Sequence, residues 1–409
     1  MNGRLRSLVL CLTALAVLAL MYTQILPIIQ ERLSPAPAIR TGHSSTNTVP
    51  AVRATARIQN NLILTVKRAN GETETIVKEG DPWTANLAKL ILDVLLGGHY
   101  GGTAQAFTCK GGTTGTMIST ESRGLNPSFA IGIGNGTSPF SVDDYKLANE
   151  IAFSDVPSEY ISFNDNGTCY NINITQSFTV SNAVNITEIG LFIKINVLNV
   201  GTDYLLLSRD LIDPPVQLLA NDTISVLYAL YFPYGIPPFT KQFYGLMLNY
   251  IFCLRAYGYS ISFKCTDGTS TSLSDFGIDE PYSSGGGADY VSEKLYGWLG
   301  SGSSIFGYDS YTLLNKISTT VSDTPFSLTY NATHAIFETK ISHSLATANT
   351  ISEVGFVIQS IDIDIAITSD IDRKTKQVLV LYFVLDNPVY VESGGTFKFK
   401  CEIVLPLAG

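Results

Sequence analysis

Ile186-Thr187-Glu188-Ile189-Gly190-Leu191-Phe192-Ile193 returns as Ile351-Ser352-Glu353-Val354-Gly355-Phe356-Val357-Ile358, 165 residues later, with every position identical or chemically similar. A repeat at this distance is a whole domain rather than a short solenoid unit. Working outward, Trp83-Thr84-Ala85-Asn86-Leu87 matches Phe239-Thr240-Lys241-Gln242-Phe243, and Phe107-Thr108-Cys109 matches Phe263-Lys264-Cys265. Tyr145-Lys146-Leu147-Ala148-Asn149-Glu150-Ile151 matches Tyr311-Thr312-Leu313-Leu314-Asn315-Lys316-Ile317. Asp213-Pro214-Pro215-Val216 then matches Asp386-Asn387-Pro388-Val389. The offset changes only in turn-rich segments, where insertions cost little. Copy one spans 82–235 and copy two 238–409, joined by the stiff breaker Pro233-Tyr234-Gly235-Ile236-Pro237-Pro238.

Within each copy, apolar residues first recur at helical spacing (Leu87, Leu90, Ile91, Val94, Leu95; then Phe243, Leu246, Met247, Tyr250, Ile251). Alternating segments bounded by Gly, Asn, Asp and Ser follow. They are Ile174–Val180, Ile189–Ile195, Tyr204–Ser208 and Ile224–Tyr231 in copy one, and Val354–Ile358, Val378–Val384 and Phe397–Val404 in copy two. The expected fold is mainly β: two tandem antiparallel β-sandwich domains, each preceded by one amphipathic helix. Residues 56–81 add a β-hairpin, Ile63 to Val77, turning at Asn70-Gly71 and joined to the first domain. The Asp-Pro steps at 213–215 and 386–388 are expected to end strands.

Arg4 and Arg6 precede an apolar stretch from Leu8 to Ile29, long enough to span a bilayer. Residues 1–32 therefore read as a transmembrane signal anchor, with a cleaved signal peptide as the alternative. Either way the rest of the chain is expected outside the membrane. Residues 33–55, rich in Ser, Thr, Pro and Ala, read as a flexible stalk.

The net charge of −9, with 26 Lys+Arg against 35 Asp+Glu, excludes a nucleic-acid partner, which requires basic stripes. Charged residues are only 15% of the chain, while 21 Tyr and 20 Phe favour strands over exposed helices. Cys11 lies in the apolar segment. Cys109, Cys169, Cys253, Cys265 and Cys401 lie beyond it and are disulfide candidates, Cys169 as mate for Cys109 and Cys401 or Cys253 for Cys265. Unpaired buried thiols are the alternative.

No catalytic residue and no cofactor site is read. The chain has no Gly-x-Ser-x-Gly, Cys-x-x-Cys or His-Glu-x-x-His. His43, His99, His334 and His343 share no ligand spacing. Gly132-Ile133-Gly134-Asn135-Gly136 lacks the following helix that a phosphate cradle needs, and reads as a turn before Asp143-Asp144-Tyr145. One candidate Ca²⁺ site is the acidic run Asp362, Asp364, Asp370 and Asp372; a charged outer strand face is the competing reading. Glu188 and Glu353, one per copy, cannot form a catalytic pair in a single site, so a bond to nearby backbone or a sheet-edge role is expected. Asn135, Asn166, Asn173, Asn185, Asn221 and Asn331 head Asn-x-Ser/Thr sequons and are glycosylation candidates if exported.

A hairpin ending in Lys78-Glu79-Gly80-Asp81-Pro82-Trp83-Thr84 leads into the first helix. Ile131-Gly132-Ile133-Gly134, Asp144-Tyr145-Lys146-Leu147, Ile186 to Phe192, Ser208-Arg209-Asp210 and Asp222-Thr223-Ile224 then follow in order. This series resembles a loose group of uncharacterised β-rich proteins of archaea and viruses, described as virion or surface structural components. The resemblance covers copy one. Copy two departs at the Arg-Asp step, where Tyr382-Phe383 stands. It implies a structural role and carries no catalytic residues with it.

The expectation is a non-enzymatic extracellular protein, anchored in the membrane by its N-terminal helix, or secreted if that segment is cleaved. It would act in surface assembly or adhesion through protein or glycan partners, or through copies of itself. A viral envelope or appendage protein binding a host receptor is one alternative; a secreted glycan-binding module is another. The polar features (acidic strand, histidines, most cysteines) belong to one copy only. A specific binding site is therefore expected in the unshared stretch Ser270 to Gly307.

Overall fold

Alternating apolar residues build strands, and here they do so in two parallel sets. The computed structural model describes residues 51–79, 83–95, 106–116, 129–197, 201–234, 238–252, 254, 259, 261–271, 294–302, 312–321, 324–360 and 376–407. Its strands are β1 (Ala51–Thr55), β2 (Gln59–Lys67), β3 (Thr73–Glu79), β4 (Ala106–Thr108), β5 (Thr114–Thr116), β6 (Phe129–Gly134) and β7 (Glu150–Asp155). They continue with β8 (Ile161–Asp165), β9 (Cys169–Thr179), β10 (Val184–Val197), β11 (Gly201–Leu218), β12 (Thr223–Pro233), β13 (Phe263–Lys264) and β14 (Ser270–Thr271). The last are β15 (Lys294–Gly300), β16 (Lys316–Val321), β17 (Thr324–Tyr330), β18 (His334–Ser344), β19 (Asn349–Ser360), β20 (Lys376–Val391) and β21 (Thr396–Pro406). The helices described are α1 (Ala85–Leu95) and α2 (Lys241–Phe252).

The molecule is mainly β. Copy one contributes sheets β11-β10-β6-β7 and β3-β2-β12-β9-β8; copy two contributes β16-β15-β19-β20 and β1-β21-β18-β17. The paired sheets of copy one touch through buried groups: Tyr228 of β12 donates to Asp210 of β11 at 2.6 Å. In copy two, Phe399 of β21 lies 5.6 Å from Phe383 of β20 and 6.3 Å from Phe356 of β19. The block that announces the repeat is the middle of β10 and of β19.

Residues 41–409 form one compact unit, in which the two copies interlock. Part of that interlock is the N-terminal arm. β1 runs parallel to β21 of copy two, from Ala51 opposite Lys400 to Thr55 opposite Val404. Three residues later β2 runs antiparallel to β12 of copy one. The arm thus fills the strand place beside the last strand of both copies, burying Val52, Ala56 and Ile58. Residues 51–55, expected to be stalk, are therefore a strand. Their alternation had too few residues to stand out from the Ala-rich sequence before them.

The helices are more deeply enclosed than an amphipathic pattern alone indicates: Ala85, Asn86, Leu87, Ala88, Leu90, Ile91, Leu92 and Leu95 of α1 are buried, while Lys89 is half-buried. One side of α1 meets β11, and other sides meet α2 and β17. Its Lys89 amine lies 5.7 Å from the ring centroid of Tyr330 in copy two, and that Tyr330 hydroxyl donates to Asp143 of copy one. Reciprocally, Phe252 of α2 packs on Phe129 and Phe232 of copy one, and Lys241 pairs with Asp165 at 2.9 Å. No described helix is long and apolar enough to cross a membrane. The apolar stretch Leu8–Ile29 lies outside the described residues.

The Asp-Pro steps do not end strands. Residues 212–215 and 385–388 are bulges inside the long strands β11 and β20: pairing passes from Glu188–Leu211 to Ile186–Val216, and from Glu353–Val384 to Ile351–Val389. Proline, lacking an amide hydrogen, is tolerated where ladder bonds are already broken. The hairpin turn is as read: Gly71 takes φ +90°, and Gly71 N–H donates to the Arg68 carbonyl.

The arm generates a test. Val52→Asp places a charge beneath β21 and is expected to cost about 3 kcal/mol in chemical denaturation. The exposed neighbour Arg53→Asp should stay within about 0.5 kcal/mol of the parent.

Candidate functional site: a buried carboxylate in each copy

Glu188 sits on β10 opposite Gly134 of β6, and its side chain is fully buried. A carboxylate placed there must find donors or lose its charge. Its Oε1 accepts from the amides of Gly136 (3.0 Å) and Asn149 (2.8 Å), and its Oε2 from the amide of Ala148 (3.0 Å). The Arg209 Nε donates to Oε2 at 2.8 Å from the neighbouring strand β11. Burial raises this carboxyl's pKa, but the Asn149 and Ala148 amides and the Arg209 guanidinium together hold it below the ordinary glutamate value.

Close approach explains the glycines. A Cβ at Gly134 or Gly136 would lie 2.7 Å or 2.3 Å from Glu188 Oε1. The Gly132–Gly136 run therefore belongs to a central strand and the loop that wraps the carboxylate, not to a free turn. Arg209 is saturated as well: Nη1 donates to Asp144 (2.8 Å) and to the Pro139 carbonyl (3.2 Å), and Nη2 to the Ser138 carbonyl (3.1 Å).

Copy two builds the same knot with different chemistry. Glu353, also fully buried, accepts from the Leu314 amide at 3.2 Å and from the Tyr382 hydroxyl at 2.6 Å. Tyr382 stands opposite Gly355 in the register that Arg209 holds opposite Gly190. The surrounding polar contacts repeat too. Thr187 donates to the Gly136 carbonyl and Ser352 to the Gly302 carbonyl. Asn149 donates to Asn135, and Asn315 to Ser301. The expectation that polar positions are not shared is thus overturned at this point. Small polar residues in loops of shifting offset hid the correspondence.

A second buried network occurs in copy one alone. Asn60 donates to Ser208, and both Ser208 and Tyr228 donate to Asp210. Copy two places Leu381, Phe383 and Cys401 at the matching positions and dispenses with the network.

The cysteines fall elsewhere than expected. Cys109, Cys169, Cys265 and Cys401 form no disulfide with one another. Cys109 and Cys265 occupy identical hairpin turns, closed by bonds to Thr113 and Thr269 and by positive-φ glycines Gly112 and Gly268. Those turns dock on β11 through Lys110–Tyr204 and on β20 through Thr266–Gln377. Cys169 instead lies on β9 opposite Pro233, and Cys401 lies within β21, so each thiol is committed to a different sheet or turn. Burial pushes the thiols of Cys109 and Cys169 up to about 11. Cys253 lies outside the described residues, as do Asp362, Asp364, Asp370 and Asp372. Most of Ser270 to Gly307 is likewise outside them. No group of three metal-ligating side chains occurs among the described residues. His334 is exposed and His343 bonds Ser318. Asn135, Asn166, Asn185, Asn221 and Asn331 are exposed, and Asn173 is half-exposed on a sheet face.

No family model and no curated protein matches this chain. Among solved structures, 2'-deoxycytidine 5'-triphosphate deaminase from Agrobacterium tumefaciens aligns at 7% identity over 67% of this chain and 84% of that one. Its TM-score of 0.09 is no likeness of fold.

Two outcomes test the knot. Arg209→Leu leaves Glu188 and Asp144 without their cation and should cost about 3–5 kcal/mol, whereas Tyr382→Phe should cost about 1–3 kcal/mol, both by denaturant titration. The lowered folded pKa of Glu188 gives stability that is complete above the unfolded value of about 4.3. That stability drains away as pH falls below it through the folded value. Melting curves from pH 7 to 3 should therefore fall more shallowly in Glu188→Gln, which starts from a lower plateau.

Proposed function

We propose that this chain is a non-enzymatic structural and interaction protein. Its N-terminal apolar segment anchors it in a membrane, and two tandem antiparallel β-sandwiches stand outside for surface assembly or adhesion. The observation that carries the reading is the use made of buried charge. Glu188 and Glu353 are each enclosed by their own loops, out of reach of any substrate, and the same role is repeated in both copies. Catalysis needs a carboxylate that can meet a reacting atom; these two tie loops together. The interlocked arm and helices support the same reading, since they make a stiff unit from two domains that a short linker alone would leave free to swing.

Fractionation with protease shaving of intact cells, followed by electron microscopy, tests this. The chain is expected in the membrane fraction, with residues beyond the apolar segment digested from outside. A soluble cytoplasmic monomer, or turnover in a hydrolase panel, would overturn it.

A further inference from the structure

Matching outer faces of the two copies have opposite chemistry. In copy two, the outward positions of β18 and β21 carry Glu338, Lys340, Lys400 and Glu402. Lys340 and Lys400 both pair with Glu338 at 2.9 Å, and Lys400 also pairs with Glu402. Such a charged lattice keeps a sheet face wet and solitary. The same positions of copy one hold Asn173, Thr175, Leu227 and Ala229. Around them, Ser177 bonds Ser225 and Thr179 bonds Thr223 across the strands. Lys67, at one corner, is the one charged side chain described among the outward residues of this face on β2, β12 and β9.

Through the middle of this face runs an apolar row. Val77 pairs with Ile63, Ile63 with Leu227, and Leu227 with Thr175. Val77 is 67% exposed. Two rows lie on either side of it: Ser225 and Thr223 one way, Ala229 and Tyr231 the other.

We propose that the outward face of sheet β3-β2-β12-β9-β8 is a homotypic contact surface that seats a second copy of this chain. A chain of net charge −9 repels its own kind over most of its surface, so self-contact is favoured on a face whose charged positions, Lys67 and Glu79, stand at its margin. A twofold axis through Leu227 lays the central apolar row on itself and sets hydroxyl rows against amide rows. Taking strands about 4.8 Å apart and residues about 3.4 Å along, the five strands between Thr223 and Tyr231 outline roughly 500 Å². Two such faces remove about 1,000 Å², the lower limit for a specific interface, so the contact is weak and reversible. This gives the assembly reading above its partner, and rests on that reading.

Sedimentation equilibrium of the full chain in mild detergent tests the contact. The wild type is expected to dimerise with a dissociation constant of about 10–100 µM. Leu227→Lys places the residue that copy two carries at this position, Lys400, and should weaken association at least tenfold while leaving the melting temperature unchanged. Thr175→Lys, which reproduces Lys340, should do the same. An equimolar mixture of Leu227→Lys with Leu227→Glu should recover the dimer, a result no folding defect would give. A monomeric wild type, or association indifferent to both lysine variants, overturns the proposal. So does a glycan found on Asn173 by mass spectrometry of the native protein, because it would stand on the contact. A surface-exposed but monomeric chain would sink this contact alone, whereas cytoplasmic location or turnover would sink the parent reading.

Discussion

A carboxylate without water is the constraint around which each copy is arranged. Glu188 and Glu353 project from the central strands β10 and β19 to places with no solvent access. An unpaired charge in such a place costs several kcal/mol, so surrounding backbone must be brought to it. The loops after β6 and before β7 supply the amides in copy one. Glycines at 134 and 136 let those loops come close enough to reach. In copy two Gly300 and Gly302 stand as near to Glu353. The remaining donor comes from the next strand, and here the copies differ. Arg209 brings a positive charge that also gathers Asp144 and two loop carbonyls, whereas Tyr382 brings one neutral hydroxyl. Copy one thereby fixes more of its loop structure through a single side chain.

The two copies are not beads on a string. Each helix is pinned at its start to its own long strand, Thr84 to Leu206 and Leu207, Thr240 to Leu379 and Val380. Each then packs against the other copy. The arm crosses between them and completes a sheet in each, parallel in one and antiparallel in the other. The hairpin it leads into is fastened by Asp222, which accepts from Arg68, from the Ala69 amide and from the Leu219 amide. Strand pairing, helix burial and a buried carboxylate thus act on the same body. Duplication conserved that architecture while leaving the outer faces free to diverge, one into an ion-paired lattice and the other into a plane with charge only at its margin.

Buried polar groups serve two ends here: Glu188, Glu353 and Arg209 hold loops, and Asn60, Ser208, Asp210 and Tyr228 join strands. The comparisons with known proteins add no function to this chain. The outer sheets of the two copies differ in charge, one ion-paired and the other nearly uncharged.

By itself the sequence determined the duplication, the strand-rich class, the hairpin at Asn70-Gly71 and segments within the long strands, though not their run through the Pro-bearing bulges, because periodicity and turn chemistry are local properties. It also matched Glu188 with Glu353 and anticipated their bonds to nearby backbone. It could not show that β1 belongs to copy two, since strand partners 349 residues apart (Ala51 and Lys400) leave no local trace. Nor could it show how deeply the helices are enclosed, because one apolar pattern serves a surface helix and a largely covered one until the neighbours are known. The glycine run at 132–136 read as a turn because glycine is the commonest turn residue. Only the packed structure shows the carboxylate that requires those hydrogens in place of side chains. Arg209 and Tyr382 became equivalent in the same way: their likeness lies in the oxygen they reach, and that oxygen is brought to them by the fold.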